Sequence, residues 1–138
     1  MTAKEYLMQI HRLDEEIKVN QRRIAELQNS IGGLKAIDYS GDKVNGSHES
    51  DPMSSRVAKL IDLEKRVSAE LVELQIKKNE MISEIRRLND TRYVTLLTMR
   101  YVDWLPWENI SETMKLTLRH VFRIHGDALN AFKELNML

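Results

Sequence analysis

Apolar residues recur along the first third of the chain at alternating spacings of four and three residues. This heptad-type repeat runs from Tyr6 to Leu34, with isoleucine alternating with leucine through most of the seam. Thr2 and Glu5 form a capping-box pattern at its start. The pattern predicts one α-helix of roughly 45–50 Å, which needs a partner helix to cover its apolar seam.

Asn20 is the polar residue of this first seam. Two interpretations are open from the sequence. A seam asparagine can fix the register or the partner of paired helices at some cost in stability. Alternatively, Asn20 lies at the edge of the seam and faces water.

Gly32 and Gly33 are predicted to end or fray the first helix. The sequence after them is rich in Gly, Ser, Asp and Asn, which predicts a flexible loop over about residues 35–52. Asp51-Pro52 is typical of a cap followed by the first turn of a new helix.

A second heptad seam runs from Met53 to Leu88, interrupted by Glu64 and Lys78. Further apolar residues widen its stripe, which indicates an additional contact with a second copy or with the C-terminal part: Ile61, Val72, Ile76 and Ile82. The two seams predict an antiparallel, coiled-coil-like helical hairpin over residues 1–89.

The pattern changes after Asn89, where shorter segments predict a small three-helix bundle over residues 90–138. Asp90 is expected to cap a helix through Arg92 to Tyr101, and the segment 103–106 to break it. The sequence then predicts a helix from Trp107 to Met114, a turn at Lys115-Leu116, and a third helix capped by Thr117 and running towards Leu135.

The last two predicted helices carry the apolar pattern of a helix-turn-helix. This pattern requires apolar residues that face the core, here Ile110, Val121 and Ile124, and a small residue where the helices approach closely, here Ser111. Met114 and Leu116 lie on either side of the turn and fill the core there. Lys115 stands where glycine is usual, which costs about 1 kcal/mol if the turn is left-handed. Trp104 and Trp107 are expected to fill the base of the bundle, with exposure of one as a partner anchor as the alternative.

The third helix is expected to present a basic face. Between Lys115 and His125 there is no acidic residue, and the basic residues there include both histidines, His120 and His125. The start at Thr117 offers free amides and the positive end of the helix dipole, which suits a phosphate. The residues predicted to bind double-stranded DNA are Lys115, Thr117, Leu118, Arg119, His120, Phe122 and Arg123. A solvated basic face without a ligand is the alternative.

Composition excludes several classes of function. The 21 basic and 21 acidic residues balance, so any nucleic-acid binding has to come from a local patch. There is no cysteine, and His120 and His125 are five residues apart, so neither a thiolate nor a same-face histidine metal site is expected. We expect no cofactor, no catalysis and no membrane span, and a cytoplasmic location in a bacterial host cell.

The stretch MRYVDWLPWENISETMKLTLRHVFRIHGDALNAFKEL resembles region 4 of bacterial sigma factors. The resemblance is carried by Arg100-Tyr101, Trp107-Glu108, Ile110-Ser111, Thr117, Val121 and Ala128-Leu129. The whole layout is similar to small regulators of phages and mobile elements of Gram-positive bacteria, grouped as RinA/ArpU-like late transcription regulators. The resemblance implies an all-α fold, in which a helical hairpin precedes a sigma-like helix-turn-helix.

These observations favour a phage or mobile-element transcriptional regulator that binds DNA through the C-terminal helix-turn-helix. The hairpin would then serve oligomerisation, for example as a homodimer, or partner contact. One alternative is a protein-interaction factor that binds RNA polymerase or a sigma factor without base contacts. Another is a DNA-packaging adaptor like the small terminase subunit.

Overall fold

The computed structural model of the chain describes residues 1–40 and 52–138, and the side chains of residues 38–40 are outside that description. All regular structure in the described part is helical, in agreement with the all-α prediction. The elements are α1 (Ala3–Ser40), α2 (Pro52–Arg86), α3 (Thr91–Leu97) with a π-helical continuation (Thr98–Val102), α4 (Trp107–Met114) and α5 (Leu118–Leu135).

The chain divides into two compact units. The first, here called the bundle unit, comprises Met1–Glu15 and Gln75–Leu138, and the second, the hairpin unit, comprises Glu16–Leu74. This division differs from the predicted boundary between residues 89 and 90. The reason is that the beginning of α1 is part of the bundle core, where Leu7 and Ile10 are fully buried.

Two polar contacts join α1 to α2 within the bundle unit. The Tyr6 hydroxyl donates to a Glu84 carboxylate oxygen at 2.7 Å, and the Lys78 ammonium donates to Asp14 at 2.6 Å. Residue numbers rise on α1 as they fall on α2, so the helices run antiparallel here, as the hairpin prediction requires. Lys78, which interrupts the apolar seam, is thus paired with a carboxylate.

The bundle unit has one continuous apolar core. Its buried side chains come from every helix of the unit, and the largest fully buried ones are Tyr101, Phe132, Leu7, Ile10, Ile85, Leu96, Leu97, Ile110 and Val121. The Tyr6 ring lies 5.8 Å from the Phe132 ring, so α1 contacts the last part of α5. The core of the C-terminal helices is therefore incomplete without α1.

The hairpin unit buries some seam residues of α1 and α2 and leaves most of the others partly buried. Ile17, Ile31 and Val67 are buried, and the Gln28 amide donates to Glu64 at 3.1 Å. Asn20 is buried as well, so the interpretation that it faces water is wrong. Its role in fixing the register of the helices stays a prediction.

The boundaries of α1 and α2 correct one sequence prediction and support another. Gly32 and Gly33 do not end α1, which continues to Ser40, so a loop beginning at about residue 35 is wrong. Two glycines destabilise a helix by only about 2 kcal/mol, and the packing of a long apolar seam stabilises it by more than that, so the low helix propensity of the glycines was outweighed. Pro52 opens α2 as predicted, while Asp51 and the rest of 41–51 lie outside the described residues.

The thermodynamic role of α1 in the bundle unit can be tested at Ile10. Both tryptophans of the chain lie in this unit, so their fluorescence follows its unfolding in urea. Ile10→Ala should lower the free energy of unfolding by about 2–4 kcal/mol, because it leaves a cavity in a fully buried site. Val19→Ala, at an exposed site of the same helix, should change it by less than about 0.5 kcal/mol. Equal effects of the two variants would contradict the assignment of α1 to the bundle core.

The two helical glycines give a second test. Apart from the backbone of the helix itself and the adjacent residues, no described atom lies within 4 Å of the position that a Cβ would take on either glycine, and neither has a positive φ. Gly32→Ala and Gly33→Ala should therefore each stabilise the chain by up to about 1 kcal/mol in urea unfolding followed by circular dichroism. Ser30→Ala, at an exposed site of the same helix, is the control and should give a smaller gain. Destabilisation by either glycine variant would show that the helix ends there after all.

Candidate nucleic-acid interface

The helix before the candidate interface ends in an unusual way. Asp90 caps α3 by accepting the Arg92 amide at 2.8 Å, as predicted, but the last turn, Thr98–Val102, is π-helical, which the sequence pattern did not indicate. The chain then leaves the helix through Trp104 in a left-handed conformation with φ 56°. The Leu105 amide donates back to the Met99 carbonyl at 2.9 Å, which closes this end.

Arg100 holds the loop between the π-helical turn and α4. Its guanidinium carbon lies 4.5 Å from the centre of the Trp107 ring and 5.3 Å from that of Trp104. One terminal nitrogen donates to the Leu105 carbonyl at 3.0 Å. We call Arg100, Trp104 and Trp107 the tryptophan cluster. A planar cation with several donors can stack and hydrogen-bond at once, whereas a lysine in its place has no planar group to stack.

The two tryptophans differ in their surroundings. Trp104 is 37% exposed and stacks on the His11 ring at 4.0 Å, so its predicted place in the core is wrong. Its left-handed backbone turns the side chain to the surface of the bundle unit. Trp107 is partly buried and contacts α5 by its edge, at 5.3 Å from Phe122 and 4.7 Å from His125. The pair therefore links α1, the loop and α5.

The turn between α4 and α5 lies at the predicted residues, Lys115 and Leu116. Lys115 is left-handed, with φ 56° and ψ 42°, so the expected strain of about 1 kcal/mol applies. The Leu116 amide donates to the Ser111 carbonyl at 3.1 Å, and the Ser111 hydroxyl donates to the Leu116 carbonyl. Ser111 is thus both the small residue that the close approach needs and a hydrogen-bond partner of the turn.

Thr117 begins α5 as a side-chain cap, as predicted. Its hydroxyl accepts the His120 amide at 3.2 Å, while the amides of Leu118 and Arg119 precede the first intrahelical bond, between Val121 and Thr117. Val121, Ile124, Ala128 and Phe132 form the buried stripe of the helix. The opposite side of its first two turns therefore points outward.

The structure brings six of the seven predicted DNA-binding residues to one exposed region at the start of α5. We call it the presented face, and its members are Lys115, Thr117, Leu118, Arg119, Phe122 and Arg123. The seventh, His120, is partly buried. Within the described part of the chain, Lys115, Arg119 and Arg123 make no ion pair, so their charges are available to a ligand.

His125 does not belong to the presented face, which corrects its inclusion among the outward basic residues. It is partly buried, and Nε2 lies 2.7 Å from the Tyr101 hydroxyl, with which it shares a hydrogen bond. Burial lowers the pKa of His125 to about 4, helped by the nearby charges of Lys4 and Arg100. Burial likewise raises the pKa of Tyr101 to about 12. Both groups are therefore neutral at physiological pH.

In residues 1–40 and 52–138 no group of three or more histidine, aspartate or glutamate side chains is arranged to hold a metal ion. No helix in those ranges combines the length and the apolarity that a membrane span needs.

The described residues thus define an all-helical protein in which a short helix, a tight turn and a longer helix expose a basic helix start. The chain belongs to the DUF1492 family, described as a protein of unknown function, whose family model matches residues 34–136. No curated protein and no solved structure matches the chain. The part of α1 in the bundle unit, Met1–Glu15, lies outside the matched residues.

The neutral His125 makes the stability of the bundle unit depend on pH. Its pKa falls from 6.5 to about 4 on folding, so the unfolded chain binds a proton in this range that the folded chain excludes. The contribution of the neutral His125 to the free energy of unfolding should be fully present above pH 6.5. It should be lost as the pH decreases towards 4, by on the order of 1–2 kcal/mol after allowance for partial solvent exposure.

Urea unfolding followed by tryptophan fluorescence at several pH values measures this effect. His125→Gln removes the titrating group, so its stability should fall less than that of the parent between pH 6.5 and 4. The carboxylates titrate in both proteins and cancel in the comparison. Parallel pH profiles of parent and variant would contradict a buried, neutral His125.

Proposed function

We propose that this protein is a DNA-binding transcriptional regulator of a phage or mobile element, which docks α5 in the major groove. The observation that carries the proposal is the presented face, where Lys115, Arg119 and Arg123 are exposed and make no ion pair with any residue that the structure describes. The resemblance to sigma factor region 4 supports this proposal further, since the resembling stretch contains both α4 and α5. We assign the sigma-like helix-turn-helix to α3, α4 and α5.

Each part of the presented face has a task that DNA binding requires. The free amides at the start of α5 and the Lys115 side chain suit phosphate oxygens, which position a protein on the duplex. Arg119 and Arg123 lie one turn apart on α5, and an arginine fork can bind the O6 and N7 atoms of guanine. The tight turn held by Ser111 lets α5 project past α4, as major-groove docking needs.

Charge balance predicts that one copy binds weakly. The formal net charge is zero, so no global attraction to DNA adds to the local patch. A homodimer, or contact with RNA polymerase or a sigma factor, would supply the missing affinity. We propose that the long helices α1 and α2 serve this purpose, in the cytoplasm of a bacterial host cell.

A second candidate is a protein-interaction factor that binds RNA polymerase or a sigma factor without base contacts. It is favoured by the two exposed apolar side chains of the presented face, Leu118 and Phe122. Apolar groups at the centre of a patch with a charged rim are common at protein interfaces. The arginines would then form the rim.

Removal of the two arginines distinguishes these candidates. The full chain is used to select duplexes from a random-sequence library at physiological salt, and the selected duplex is then titrated with each variant. Arg119→Ala/Arg123→Ala should weaken selective binding by roughly tenfold or more, because each arginine–base contact is worth about 1–3 kcal/mol. Arg92→Ala/Lys133→Ala removes the same charge from exposed sites outside the presented face and the two long helices, and should leave binding unchanged.

The outcomes separate cleanly. If the Arg119/Arg123 variant binds the selected duplex like the parent, major-groove docking by α5 is wrong. If the parent selects no DNA sequence, and both the parent and the arginine variant capture RNA polymerase, the protein-interaction function replaces the DNA-binding function. Salt titration adds a check, since each lost phosphate contact should reduce the slope of log affinity against log salt by about 0.9.

A further inference from the structure

Two large apolar side chains stand on the presented face where a purely electrostatic DNA contact would not need them. Leu118 is 40% exposed and Phe122 is 50% exposed, and they lie one helical turn apart on α5. Single exposed apolar residues are common on proteins and need no explanation. This pair is different, because Arg119 and Arg123 follow its two members directly in the sequence and are exposed as well.

The position of Phe122 is fixed by the scaffold. Its ring makes an edge contact with Trp107 at a centroid distance of 5.3 Å, and Trp107 is in turn covered by the Arg100 guanidinium at 4.5 Å. Half of the phenylalanine surface is nevertheless left open. An aromatic ring that is held in place and still exposed is prepared for contact with a partner and needs little ordering on binding.

The charge around the pair indicates which partner fits. From Lys115 to Gly126 the chain carries no acidic residue, and the nearest cations make no ion pair within the described residues. This basic surrounding suits a polyanion. In the major groove, the C5-methyl of thymine is the apolar group among the base edges, and it is contacted by apolar side chains such as Phe.

We propose that Leu118 and Phe122 read thymine through its C5-methyl group, so that the DNA target contains thymines at the positions these side chains contact. This inference rests on the proposed DNA-binding function and adds specificity to it. Residues four apart in a helix are separated by about 6 Å along its axis, which is close to two base-pair steps of 3.4 Å. The two contacted thymines are therefore expected about two steps apart.

Replacement of thymidine by deoxyuridine tests the contact, since it removes the methyl group and keeps the base pairing. The full chain is titrated with its selected duplex, in which each thymidine is replaced singly. Affinity should fall about fourfold at each contacted position, as expected for loss of one buried methyl at about 0.8 kcal/mol. Replacement at the other positions should have no effect.

Variants connect each position to its side chain. Phe122→Ala should remove the discrimination between thymidine and deoxyuridine at one position, and Leu118→Ala at the other. Leu135→Ala, at a similarly exposed site near the end of α5, is the control and should keep both. All three sites are exposed, and thermal unfolding checks that each variant is folded.

The failure of this inference differs from failure of the proposed function. Suppose that the parent binds the thymidine and deoxyuridine duplexes equally at every position, while Arg119→Ala/Arg123→Ala loses binding. The proposed DNA binding then stands, and the proposed contact with the thymine methyl group is wrong. If the parent selects no duplex at all, the proposed function fails and the inference fails with it. If Phe122→Ala binds and discriminates like the parent, Phe122 has no part in reading bases.

Discussion

The stack of the Arg100 guanidinium on Trp107 is the contact on which the geometry of the candidate interface depends. Arg100 belongs to the π-helical turn, its hydrogen bond fixes the Leu105 carbonyl in the loop, and its cation–π contact reaches the first residue of α4. Trp107 then contacts Phe122 and His125 of α5. One side chain thereby orders three consecutive elements, and a planar cation with several donors is well suited to make these contacts together.

Two left-handed residues, Trp104 and Lys115, enclose α4 and are the strained points of this arrangement. Each has a φ of 56° without being glycine, which costs roughly 1 kcal/mol or more. Both are held by their surroundings: Trp104 by its stack on His11, and the Lys115 turn by the hydrogen bonds of Ser111. The strain fixes the direction of the chain into and out of α4, and so the direction in which α5 leaves the turn.

The sequence predicted best what depends on local chemistry. α4 and α5 begin and end at the predicted residues, because a proline, a left-handed turn and a threonine cap act within a few residues. Effects of tertiary packing were not predicted. Packing carried α1 through Gly32 and Gly33, burial made His125 neutral, and a heptad pattern could not reveal that Met1–Glu15 completes the bundle core. The exposure of six site residues agrees with the prediction, while DNA binding itself stays a proposal.

The contribution of α1 to the bundle unit has a consequence for the proposed function. Tyr6 contacts Phe132 near the end of α5, and His11 contacts Trp104 of the cluster that abuts its beginning. Contacts with α1 thus support α5 at both ends, and the presented face keeps a fixed orientation to α1 within this unit. If two copies pair through their bundle-unit helices, the distance between the two α5 helices becomes fixed as well. A fixed distance is what recognition of two half-sites on one duplex requires, since their spacing must match the helical repeat of DNA.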